Sequence, residues 1–104
     1  MTIKKLKDLQ TSDEKKPAKS IVFNEEKSKI IAFNLLPGQA IPKHGHPDKN
    51  AYVAVMDGEG TCFLDDTESA VGTGDIIHCN SKQTISIENT GAALMTVYVV
   101  LAEE

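Results

Sequence analysis

Leu35–Gly60, "LLPGQAIPKHGHPDKNAYVAVMDGEG", is the stretch on which the reading of this 104-residue chain turns. It sets two of the three histidines, His44 and His46, one residue apart, after a Pro-Gly and just before the apolar run "AYVAVM". Residues two apart on a strand share a face, so the two imidazoles are expected on one side of the sheet. Neutral imidazoles there can offer nitrogen lone pairs to a divalent transition ion such as Zn, Fe, Mn, Ni or Cu.

Outward from this stretch, the chain consists of short β-branched runs set off by turn residues. "SIVFN" and "KIIAFNLL" come before it, joined by the polar cluster Glu25–Ser28 as a hairpin. "TCFL", "ESAV", "DIIHC", "TISIE" and "ALMTVYVV" follow, separated by Asp65-Asp66, "GTGD" and "NTGA". With "AYVAVM" these make about eight strands spaced roughly ten residues apart, and no helical period runs between them. The expected fold is all-β, a sandwich or barrel. "GEGTC" and "GTGD" read as hairpin glycines rather than as a phosphate-cradling loop.

One barrel domain over residues 20–104, preceded by a polar arm over residues 1–19, accounts for the whole length. Ile3, Leu6 and Leu9 give the arm one apolar edge before a charged run that Pro17 ends. With 40% apolar and 25% charged residues, the composition is that of a globular chain. A net charge of −4 argues against nucleic acid or an anionic membrane as partner. No apolar run is long enough for a membrane span, and the lysine-rich start lacks the apolar core of a signal peptide. Two cysteines without a CxxC spacing, Cys62 and Cys79, read as free, buried thiols in a reducing cytoplasm.

These residues resemble the cupin superfamily of jelly-roll β-barrels. The first cupin motif runs Gly, five residues, His-x-His, three or four residues, Glu, six residues, Gly; Gly38, His44, His46 and Gly58 fall in its register. The second motif has a Gly-Asp turn, a short strand, Pro-x-Gly, a third His and a closing Asn. Here "GDIIHCNSKQTISIENTG" fits that frame, from Gly74-Asp75 to Asn89-Thr90-Gly91. The resemblance spans residues 20–101 and implies a cupin barrel whose His and Glu ligands hold a metal. Four positions depart from it: the Glu falls on Ala51 or, with the shorter spacing, Asn50; the third His falls on Ile85; and Asn80 and Lys82 replace the Pro and Gly.

His44 and His46 are therefore the candidate metal ligands, with Asn50 and His78 as candidates to complete the set. Asn50 can offer an amide oxygen. His78 and Cys79 are strand neighbours, so only one can face the cavity, and the resemblance favours His78. Ile85 makes the cavity more apolar. Glu59, Asp75 and Asp48 read as turn formers or solvated charges, and Tyr52 as a packing residue.

Two functions fit these residues. In the first, the barrel binds a divalent metal, a small molecule or both through His44 and His46, with isomerase, dioxygenase or decarboxylase chemistry open to it. In the second it is a non-catalytic ligand-binding or regulatory cupin with a degenerate metal site. The nearly continuous apolar last strand, together with the resemblance, implies a homodimer.

Overall fold

A computed structural model describes residues 2–104. A single helical turn, α1 (Leu6–Leu9), precedes nine strands: β1 (Ala18–Asn24), β2 (Ser28–Leu35), β3 (Ala40–Gly45), β4 (Lys49–Asp57), β5 (Glu59–Leu64), β6 (Thr67–Gly72), β7 (Ile76–Cys79), β8 (Thr84–Glu88) and β9 (Met95–Glu103). They form a five-stranded sheet, β1-β2-β9-β4-β7, and a four-stranded sheet, β3-β8-β5-β6. Neighbouring strands pair antiparallel throughout. The all-β jelly roll expected from the sequence is the fold observed.

The additional strand is β3, which carries His44 and ends one residue before His46. Pro42 and Gly45 break its β pattern, and its pairing with β8 shifts register between Ile41 and His44. An edge strand tolerates both features, because a proline there removes no ladder donor that a neighbour needs. Propensity alone therefore hides it.

Two glycine turns also differ from the sequence reading. Gly58 lies where the chain leaves β4 for β5 in the other sheet, and Gly72–Gly74 lies where β6 crosses back to β7. Both are sheet crossings rather than hairpins. At Gly58, φ is +92°, and a Cβ would come within 2.8 Å of the Leu94 carbonyl oxygen. Only glycine meets both conditions without strain.

Alternation sorts the side chains into an inner and an outer set. Ala51, Val53 and Val55 of β4 face inward with Val97, Val99 and Leu101 of β9, and with Ile41, Ile85 and Ile87 of the opposite sheet. The outer face of the five-stranded sheet is mixed, and it presents two exposed large side chains: Ile76 is 74% exposed and Tyr52 41%. β9 runs through the middle of that sheet, with its inner face in the core and Tyr98, Val100 and Ala102 half-buried on the outer one.

The arm is hydrogen-bonded to its own barrel. Asn34 Nδ2 donates to the Leu9 carbonyl at 2.7 Å, Gln39 Nε2 to the Asp13 carbonyl at 2.7 Å, and Gln10 Nε2 to Asp57 Oδ2 at 2.9 Å. Asn34 is fully buried and also accepts from Thr96 Oγ1, so the arm covers a polar pair on the outer face of the five-stranded sheet. Among the described residues, no helix is long and apolar enough to cross a membrane.

Candidate functional site

β3 is held in place by the end of β8. Gly38 N donates to the Asn89 carbonyl and Asn89 N to the Gln39 carbonyl, each at 2.9 Å. From there Ile41 pairs with Ile87, His44 with Ile85 and Gly45 with Thr84. The two imidazoles meet edge to face, with ring centroids 4.6 Å apart.

Each ring has a distinct environment. His44 Nδ1 lies 2.7 Å from the Pro42 carbonyl oxygen, which can only accept, so Nδ1 carries the proton and Nε2 is left with its lone pair. His46 Nδ1 is buried without a hydrogen-bond partner. Burial, then the neighbouring His44, then Lys49 pull the His46 pKa below its ordinary value, which favours the neutral ring.

His44 and His46 line a small cavity closed mainly by Ile41, Ala51, Val53, Ile85, Ile87 and Val99. Its volume is about 10 Å³, room for about one water molecule. Outside it lies a larger groove of about 240 Å³, lined by Lys19, Ile31, Phe33, Ile41, Pro42, both histidines and Val99. The groove occupies the side of the barrel where the edge strands β1 and β3 are unpaired with each other.

Of the sequence candidates, His44 and His46 come together as expected, and Ile85 and Ala51 fill the two positions beside them. Asn50 and His78 do not join them, which corrects two expectations. Ala51, not Asn50, faces inward, so Asn50 lies on the outer face, where its Oδ1 is 2.8 Å from His78 Nε2. Tyr52 stacks on His78 at 4.9 Å on that same face. On β7 the inward residue is Cys79, 1% exposed, and His78 therefore points out. Cys62 is buried too; burial raises both thiol pKa values, and neither cysteine forms a disulfide. Asp75 is a turn former, accepting from Gly72 N at 2.8 Å.

The donor set at β3 is thus two imidazoles facing apolar side chains. Among the described residues, no group of three or more His, Cys, Asp or Glu is placed to hold a metal. Stable protein metal sites ordinarily supply at least three donors, so this set does not fit a resident catalytic ion. Lys19 and Phe33 were not singled out from the sequence. Their one local signal is the alternation of β1 and β2, which turns both toward the barrel interior.

Two antiparallel sheets folded face to face in this strand order, with His44 on the edge strand of one and His46 just past its end, place the chain in the double-stranded β-helix class. The chain belongs to the cupin family: residues 32–101 match its cupin-domain profile. Among curated proteins none matches the sequence significantly. Solved structures resemble it over nearly its whole length. The TT1209 protein of Thermus thermophilus is 28% identical with a TM-score of 0.93, over 99% of this chain and 98% of that one. A Klebsiella pneumoniae protein with a double-stranded beta-helix domain is 22% identical with a TM-score of 0.93, over 99% and 90% of the two chains. An RmlC-like cupin from Desulfovibrio desulfuricans is 23% identical with a TM-score of 0.89, over 98% and 96%.

Proposed function

We propose that this cupin is a small-molecule binding protein whose ligand sits in the groove between β1 and β3 and reaches His44 and His46. The observation that carries the reading is the pairing of an open groove with an inner cavity too small for a substrate, its Glu and third-His positions taken by Ala51 and Ile85. The imidazoles then act as hydrogen-bonding groups at the inner end of the groove. Fold alone does not choose a function; the side chains at the site do. The test is a ligand screen read by the NMR signals of the two histidine rings, beside a His44→Ala/His46→Ala variant. Ligands that shift those signals and lose affinity in the variant support binding at this groove; ligands bound equally by the variant overturn it.

A second reading has one observation in its favour. His44 holds its Nδ1–H against a backbone carbonyl and leaves Nε2 free, the arrangement of metal-ligating histidines. A divalent ion would be held there reversibly, its remaining positions filled from outside the chain. Elemental analysis of protein incubated with Zn, Ni, Mn or Fe(II) decides the matter, since near-stoichiometric metal lost in the double variant would establish it. The proposal extends to a homodimer through the outer face bearing Tyr52 and Ile76, checked by sedimentation of an Ile76→Glu variant.

A further inference from the structure

We propose that the groove selects a compact monoanionic acid, a carboxylate on a small apolar body. The inference rests on the groove being the ligand site, and it names the chemistry that site takes.

The groove has an apolar floor and a cationic rim. Ile31, Phe33, Ile41 and Val99 form the floor, and no carboxylate side chain lines it among the described residues. Lys19 supplies the rim. It pairs with Phe33 across the β1–β2 ladder, and its ammonium sits 5.9 Å from the centre of the Phe33 ring. This holds a cation directly above an apolar wall. The site runs counter to the chain as a whole, which carries a net charge of −4. The adjoining recess of about 600 Å³ adds Lys16 beside Lys19, with Asp13 as its one carboxylate.

The apolar floor continues to an open edge. Ile21 pairs with Ile31 on the same inner face, yet it is 52% exposed because β1 is an edge strand. An apolar body lying along Ile21, Ile31 and Phe33 would remove that surface from water. Its acid group would then meet the Lys19 ammonium, the cation on the groove's rim. At about 240 Å³ the groove lies below the usual range for drug-sized ligands, which sets the ligand as compact.

The test uses the full chain, with benzoate, phenylacetate and hexanoate as acids and benzyl alcohol and benzamide as neutral counterparts. Binding is read by NMR shifts at His44, His46 and Lys19. The expected result is binding of one or more acids in preference to the neutral compounds, weakened by salt. Lys19→Met, an exposed substitution that leaves the core intact, should weaken acid binding about fivefold, as for a partly screened charge pair. Equal binding of acids and neutral compounds, unchanged in Lys19→Met, would overturn the anion selectivity while leaving the groove as the ligand site. No shift from either class would overturn the groove reading itself. A second copy of this chain is the other occupant the edge allows; a dimer that Ile21→Glu turns into a monomer would overturn both.

Discussion

Ile85 lies directly across the β3–β8 ladder from His44, with both side chains lining the same cavity. Directly opposed residues bring their Cβ atoms to about 5 Å, close enough for two side chains to share a ligand. Ile85→His would therefore set a third imidazole beside the existing pair without changing the backbone. The expected outcome is a gain of roughly 100-fold in Zn or Ni affinity, the equivalent of about 2.7 kcal/mol from one added donor. Isothermal titration of the two proteins with each metal checks this. An unchanged affinity would mean that the cavity cannot reshape around an ion.

The buried ring of His46 makes a pH prediction. Its pKa is lowered from 6.5, chiefly by burial, so the folded state resists protonation. Above pH 6.5 the ring is neutral in folded and unfolded chains alike and contributes no pH dependence. As the pH falls through 6.5, the unfolded chain takes up the proton first and stability is lost. The loss levels off once the pH passes below the folded-state pKa. His46→Asn should flatten this part of the stability curve relative to the native chain. Parallel thermal melts from pH 7.5 to 4.5 measure the difference, and superimposable curves would refute it.

What the sequence conveyed and what it did not differ by a matter of parity. The His-x-His spacing put both rings on one face, and the cupin resemblance put Ile85 and Ala51 beside them; all four line one cavity. Asn50 and Ala51 are adjacent, as are His78 and Cys79, and a slip of one residue on a strand turns a side chain to the other face. Motif spacing with a three-or-four ambiguity could not settle that choice, whereas the ladders of β4 with β9 and β7 do. β3 was hidden because its pairing with β8 is non-local and its own composition is poor in β formers. The groove was hidden for a related reason: Lys19, Phe33 and His44 meet only after two sheets close.

The arm is secured by a buried residue on the outer face of the five-stranded sheet. Asn34 donates to the Leu9 carbonyl at 2.7 Å and accepts from the buried Thr96 hydroxyl at 2.6 Å. Asn34→Ala leaves both without that partner, at a cost of about 1–3 kcal/mol. Gln39 and Gln10 still hold other parts of the arm. The barrel should therefore stay folded while trypsin cuts faster at Lys7 or Lys15. Time-resolved proteolysis followed by mass spectrometry reads the sites. Cleavage at the native rate would mean the arm does not depend on this contact.

Asn89, in the closing Asn position of the second cupin motif, is the strongest single polar tie in the site's frame. Buried at 1% exposure, its Nδ2 donates to the Leu35 carbonyl at 2.7 Å and the Ala93 carbonyl at 2.9 Å, while its Oδ1 accepts from Gly91 N at 3.0 Å. Its backbone also joins β8 to the turn that launches β3. Asn89→Ala removes three hydrogen bonds and should cost about 2–4 kcal/mol in urea unfolding. Asn89→Asp separates the donor from the acceptor role. A carboxylate can still accept from Gly91 N but turns an acceptor toward two carbonyl oxygens, so at neutral pH it should be at least as damaging as alanine. Acid then protonates the carboxyl and restores one donor, so the Asp variant should recover stability relative to the Ala variant as the pH falls. If the two variants lose stability in parallel at every pH, the amide donors are not what holds this corner together.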